Sequence, residues 1–374
     1  MNLALRFLDS LSGVASDQWD AISDGSVFLK HAFLHALHET GCASARTGWQ
    51  VAYPSLWQGD RLLAAMPLYV KSHSWGEYVF DWAWAEAYER AGGHYYPKLT
   101  AAIPFTPVAG SRLLARSDEH RTLLVDAALQ LAQAQGISSL HCLFPQGAEV
   151  PLWQSAGLML RHGVQFHWLN QGYRDYQDFL DGLQSEKRKK IRQERRKIAE
   201  QGIEVQRKTG AEISEADWRF FYRCYVHTYQ AHGSRPYLSL DFFQQIGRDL
   251  AGHCLLVLAL KHGKPVAAAL DLFDAQRLYG RYWGALEYLP NLHFELCYYQ
   301  GIEFAIAQQL QVFEGGAQGE HKLSRGLSPV ATVSAHWLAD SRFADAVSHF
   351  LQRESGGVEA YLDELNERAP FRRA

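Results

Sequence analysis

The sequence predicts an α+β protein organised as two domains. Three observations carry this expectation. The chain has 374 residues, more than one ordinary core organises. Apolar residues make up 47% and charged residues 21%, a globular balance that excludes a disordered chain. One order of elements also occurs in both halves: helix, hairpin with a Gly-containing turn, then helix and strand, without a sequence repeat at any fixed period.

In the first half, Phe28, Phe33, Leu34 and Leu37 recur at helical spacing over 27–40, and Gly41 stands where a C-cap belongs. Apolar runs at 51–57 and 61–71 flank Gly59-Asp60, a hairpin signal. A helix over 120–136 ends at Gly136, and 138–144 reads as a buried strand. In the second half, helices are expected at 176–200, 214–232 and 239–252. A hairpin follows over 254–273 with His262-Gly263-Lys264 at its turn, then a strand at 276–284, a helix at 293–310 and a strand near 312–315. The domains are placed at 1–168 and 169–374, with no Pro/Ser-rich linker between them.

Composition narrows the function. A net charge of −3 does not point to nucleic acid. The longest apolar runs, such as 254–260, fall far short of the roughly 20 residues of a membrane span, and the N-terminus lacks the pattern of a signal peptide. Cys42, Cys142, Cys224, Cys254 and Cys297 form no CxxC pair, which argues against a disulfide framework or zinc site and for a reducing, cytoplasmic setting.

Four segments stand out chemically. Residues 186–197 hold eight basic and two acidic side chains, and on a helix Leu183, Ile191 and Ile198 share one face. Two readings stay open: a solvated helix, or a phosphate or RNA site using Lys187, Arg188, Lys190 and Arg192. Residues 72–110 are rich in aromatics with no period of 2 or 3.6, and Pro97, Pro104 and Pro107 forbid a long helix. This is either a loop over a core or a cleft wall, with Glu77, Asp81, Tyr95, Tyr96 and Lys98 as candidate substrate contacts. Residues 314–329 combine glycines with Glu320, His321, Lys322, Arg325 and Gln318 after a strand, a common site position in α/β folds. The helix start at 293–306 adds His293, Glu295, Tyr298 and Tyr299; Glu295 in its first turn either complements the helix dipole or acts as a general base. No HExxH or other metal-ligand spacing is present, so no metal is expected.

The stretches 47–49, 67–99, 103–114, 187–198, 278–284, 292–306 and 313–329 together resemble the FemAB-like N-acyltransferases, the Fem-type branch of the GNAT superfamily associated with peptidoglycan biosynthesis and recognition. The resemblance implies two GNAT-like units in tandem on mixed sheets, with an acceptor cleft between them. It implies transfer of an acyl or aminoacyl group to an amine, with a cell-wall precursor as acceptor. The donor would be a co-substrate, aminoacyl-tRNA or acyl-CoA, and no cofactor would be bound permanently. The coiled-coil arm of some relatives is missing, and the GNAT phosphate-loop pattern is met only by Arg281 and Gly284, with Leu286 in the last, small position. Glu320, His321, Glu295 and Asp81 are the catalytic candidates. Arg281, Tyr282, Trp283, His293, Tyr298, Tyr299, Gln318, Lys322 and Arg325 join the residues of 72–110 as substrate contacts. tRNA and the membrane surface remain open as partners. The alternative is a non-catalytic protein that binds cell-envelope ligands on the same fold.

Overall fold

The computed structural model describes residues 3–316 and 319–371. The chain divides into two compact units: residues 1–163 with 331–360, and residues 164–330 with 361–374. The expected boundary at 168/169 gave everything beyond it to the second domain. Residues 331–360 belong to the first instead, because Ser334–Leu338 pair antiparallel with Ser139–Leu143 and Val347 and Leu351 pack on Trp84 and Tyr95.

In the first unit, Leu3–Leu8, Tyr53–Gln58, Arg61–Ala65 and Leu114–Ala115 form an antiparallel sheet. A second, mixed sheet runs from 334–338 through Ser139–Leu143, Lys98–Ala101 and Leu68–Lys71 to Trp49–Val51; its Lys98–Ala101 and Ser139–Leu143 strands are parallel. The hairpin expected over 51–71 therefore serves both sheets. It breaks at Ala52 and at Met66-Pro67, where proline has no N–H for a continuing ladder. The helix Asp118–Ala134 is capped by Ser117, whose side chain accepts from the His120 N–H, and Gly136 follows it at φ 63°. Its Leu124 and Ala128 close the core over Leu56, Leu99 and Leu140. The aromatic stretch 72–110 is less irregular than its sequence pattern indicates: it contains the nine-residue helix Trp82–Arg90 and the strand Lys98–Ala101. Aromatics on opposite sides of so short a helix, Trp82 against Trp84 and Tyr88, hide its period.

In the second unit, Ile203–Thr209, Cys254–Lys261, Lys264–Phe273 and Arg277–Ala285 form an antiparallel meander. Val312–Glu314 adds parallel to it, and 167–169 add antiparallel beyond. His262 and Gly263, both at positive φ, make the tight hairpin turn. The helix expected over 176–200 is two, Tyr176–Gly182 and Ser185–Glu200, separated by extended backbone at Leu183. The helix at 292–307 carries a π turn over Glu295–Tyr299.

Two irregularities shape this sheet. The register shifts between Leu270 and Asp271, so Arg281 is an extra residue on the strand Arg277–Ala285. That strand pairs with Val312–Glu314 only along Arg277–Tyr279, leaving residues 280–285 without a neighbour from Val312–Glu314. The helix Glu215–Ala231 lies close on the same strand: Thr228 donates its hydroxyl to the Trp283 carbonyl at 2.9 Å. A Cβ on Gly284 would stand 2.1 Å from the Cys224 carbonyl oxygen, so only glycine permits this approach. Gly284→Ala is expected to lower stability by about 1–3 kcal/mol in urea unfolding, because backbone must move to admit one methyl group.

Candidate functional site

The second unit gathers the larger share of the expected residues. The π turn brings Tyr298 to the short helix Glu320–Arg325, where its hydroxyl lies 3.0 Å from His321 Nε2. The His293 ring meets Trp283 and His321 edge to face, with ring centres 5.3 and 6.2 Å away. Two grooves open here. One, of about 520 Å³, includes Thr228, Trp283, Leu289 and His293 in its lining; the other, of about 450 Å³, includes Lys187, Glu320, His321 and Arg368. The paired histidines therefore join two separate openings of one unit.

Electrostatics keep both imidazoles neutral. Burial first, then His321, Arg325 and Lys322, pull His293 down to about 4. Burial, Arg325 and Lys322 lower His321 as well. Lys322 is itself buried, which lowers its ammonium to about 8, and its Nζ donates to the Gly316 carbonyl at 2.7 Å, just beyond the strand Val312–Glu314.

Arg325 and Glu194 hold this arrangement. The Arg325 guanidinium lies 3.3 Å over the Phe294 ring and donates to both Glu194 oxygens at 2.8 and 3.1 Å and to the His321 carbonyl at 2.8 Å. Tyr299 donates to the same Glu194. Arg325 is thus consumed by a protein carboxylate, and Tyr299 is a buried strut; neither has the substrate contact expected of it. Glu295 is likewise not at a site mouth. It is buried, accepts from Arg195 at 3.0–3.2 Å and from Gln300 at 2.7 Å, and ties the basic helix to the π turn. Glu320 is exposed and bound by Tyr361 at 3.0 Å and Arg368 at 2.9 Å, and these hydrogen bonds lower its pKa. A carboxylate held anionic in this way is a poor base. Tyr282 packs against Tyr225 and Phe243, and the Arg281 guanidinium lies 5.3 Å over the Tyr282 ring. Gln318 lies outside the described residues.

The basic helix Ser185–Glu200 buries Ile191 and Ile198 as its apolar spacing requires, but Glu194 is buried beside them. Of its candidate phosphate ligands, Arg188 pairs with Asp181 at 3.2 Å, Arg192 donates to Gln177 at 3.0 Å, and Lys187 lines the His321 groove. Lys190 is exposed.

The first unit holds a separate charged cluster. Lys98, fully buried, donates to Ser74 at 2.7 Å, Glu77 at 2.8 Å and Asp81 at 2.5 Å. Tyr95 donates to Asp81 at 2.8 Å, and Tyr96 and Ser74 hydroxyls lie 2.9 Å apart. Burial would raise Asp81, but Lys98 and His141 more than offset it and hold the carboxyl well below the usual range. Burial pushes Glu77 up to about 6 and Lys71 down to about 7. The chain continues from Tyr95 to His141 Nε2 at 3.2 Å and from His141 Nδ1 to His336 Nδ1 at 2.7 Å. Glu77, Asp81, Tyr95, Tyr96 and Lys98 are therefore brought together, as a buried network of their own unit. His141, His336 and Lys71 are members that sequence reasoning missed; a histidine inside the apolar run 138–144 was the available signal for the first.

Lys98→Met is expected to cost about 3–5 kcal/mol in urea unfolding, since it leaves buried carboxylates uncompensated. Adding Glu77→Gln and Asp81→Asn should recover most of that loss.

Among the described residues, no group of three or more His, Cys, Asp or Glu side chains is arranged to hold a metal ion. No curated protein matches the sequence. Among solved structures, FemX aligns with a TM-score of 0.56 at 11% identity, over 93% of this chain and 100% of its own. L-PGS from Bacillus licheniformis aligns with a TM-score of 0.54 at 10% identity, over 91% of this chain and 97% of its own. A tandem GNAT protein from the clavulanic acid biosynthesis pathway aligns more loosely, with a TM-score of 0.45 at 10% identity, over 91% and 99%. The likenesses to FemX and L-PGS are of fold alone, a mixed α+β architecture. The FemAB-like family, described as peptidoglycan biosynthesis/recognition, matches residues 10–373, and the chain belongs to that family.

Proposed function

We propose that the protein is an N-acyltransferase that moves an acyl or aminoacyl group from an activated ester or thioester onto an amine of a peptidoglycan precursor. Family membership supports the reaction class. The observation that carries the local assignment is the neutral His293–His321 pair at which two grooves of the second unit open. Such a pair gives donor and acceptor separate approaches to one base.

In this reading His321 is the general base. With its Nε2–H donating to the Tyr298 oxygen, the Nδ1 lone pair accepts the proton of the attacking amine. The new C–N bond forms as the amine adds to the acyl carbonyl. The tetrahedral oxyanion is stabilised by the Lys322 ammonium, which has donors beyond the one spent on Gly316. Collapse expels the alcohol or thiol, which takes the proton held on His321. Trp283 and His293 shape the groove for the acyl group, and Lys187 lies in the other groove as a cation for an anionic substrate. No covalent enzyme intermediate is required.

The test offers purified protein a pool of charged tRNAs and a panel of acyl-CoAs together with peptidoglycan precursors, and follows donor loss and new amides by mass spectrometry. Consumption of one donor with a matching mass gain on one acceptor is expected, and His321→Asn should lower turnover by about 10²–10⁴-fold. Retention of a precursor without loss of any donor would replace the transferase reading with a recognition function. The pH profile gives a second check. Burial first, then Arg325 and Lys322, lower His321, so the acid limb of kcat/KM should lie below the ordinary imidazole value, and Lys322→Met should move that limb to higher pH.

A further inference from the structure

Nothing above uses the outer face of the loop over the buried Lys98 network. Trp75 and Phe80 are each 58% exposed, the largest such values for any Trp or Phe among the described residues. The Trp82 ring lies 5.0 Å from Trp75, and the half-buried Tyr78 and Val79 and the exposed Ala83 extend the same surface. Solvent-facing aromatics gathered this way mark an interaction surface.

From Ser74 to Ala85 the only charged side chains are Glu77 and Asp81, and both point inward to Lys98. The exposed residues of the loop are therefore all uncharged. Four of its carbonyls are also supplied from within. Lys71 donates to the Trp75 carbonyl at 3.3 Å, the Phe105 N–H to that of Gly76 at 3.2 Å, and Arg161 to that of Phe80 at 2.7 Å. The Asp81 carbonyl accepts from Trp84 and Ala85. Carbonyls satisfied from inside the protein cost little when water is removed from the outside, which is the condition for seating a loop in lipid.

We infer that the loop 74–83 is a peripheral membrane-contact site, seating Trp75, Phe80 and Trp82 at the interfacial region of a bilayer. Tryptophan favours that depth because its ring is apolar and its N–H is polar. A carbohydrate fits less well: the Trp75 and Trp82 planes are inclined by 59°, which is no flat stacking platform, and the loop's carboxylates are turned away from it. Among the described residues no helix is long and apolar enough to cross a membrane, so the contact is superficial.

Sedimentation of the full chain with vesicles of phosphatidylcholine, and of phosphatidylcholine with phosphatidylglycerol, tests this. Binding to both is expected, changing less than about twofold between roughly 0.1 and 0.5 M salt, because the surface is uncharged. Trp75→Ser with Phe80→Ser should lower vesicle affinity at least about tenfold with the melting temperature retained. Should that variant melt early, Phe80→Glu alone carries the test, with the same loss expected. Absence of vesicle binding, or binding that survives these substitutions, overturns the inference. Binding confined to anionic vesicles and abolished by salt would assign the contact to the basic helix instead. Retention on insoluble peptidoglycan rather than on vesicles, lost with Trp75 and Phe80, would make the loop a glycan or peptide platform and equally overturn the lipid reading.

Discussion

The first unit depends on one buried ammonium. Lys98 reaches from a strand into a stretch that carries two carboxylates, three tryptophans and little regular structure, and it neutralises both acids where water cannot. Removing charges from water costs several kcal/mol per ion, and only close pairing with further hydrogen bonds offsets that cost. Ser74 and Tyr95 supply those bonds, and the His141–His336 contact extends the network to a strand almost two hundred residues away in sequence. The loop's geometry, its outward aromatics and the start of the helix Trp82–Arg90 all follow from where that one side chain ends.

The second unit solves a related problem with arginine. Arg195 binds Glu295 through both Nε and Nη2, a geometry that a planar guanidinium provides and a lysine does not, and Arg325 reaches both Glu194 oxygens through Nη2 while Nη1 holds the His321 carbonyl. These contacts attach the basic helix to the π turn and to the short helix bearing His321. The basic helix is therefore a structural support on one face and a cationic surface on the other. The imidazoles stay neutral because they are withdrawn from water and because the same guanidinium and a buried lysine stand beside them.

Much of this was readable from residue order alone. The hairpin at His262-Gly263, the helices at Asp118–Ala134 and Glu215–Ala231, and the apolar face of Ile191 and Ile198 follow from periodicity and turn chemistry. Clustered charge among aromatics and glycines marked both candidate clusters. The partners did not follow. Glu194 and Arg195 sit in a run of charges that gives no sign of which ones turn inward, and that choice is made by Arg325 and Glu295, a hundred or more positions on. Glu320 is adjacent to His321 in sequence, but Tyr361 and Arg368 claim its carboxylate, and no local pattern announces them. His336 becomes meaningful only once strand pairing sets it against His141.

The discontinuous first unit has a consequence for how the protein is made. Its mixed sheet takes Ser334–Leu338 beside Ser139–Leu143, and a core of Trp84 and Tyr95 awaits Val347 and Leu351. A nascent chain that has emerged through residue 163 therefore exposes an unpaired strand edge and open aromatic surface, while the second unit's own strands are still to come. Vectorial synthesis ordinarily lets N-terminal domains fold first. Here the segment made first must wait for residues 331–360, which follow most of the second unit, so the protein has a long interval during synthesis in which a chaperone or an unwanted strand partner competes for the Ser139–Leu143 edge.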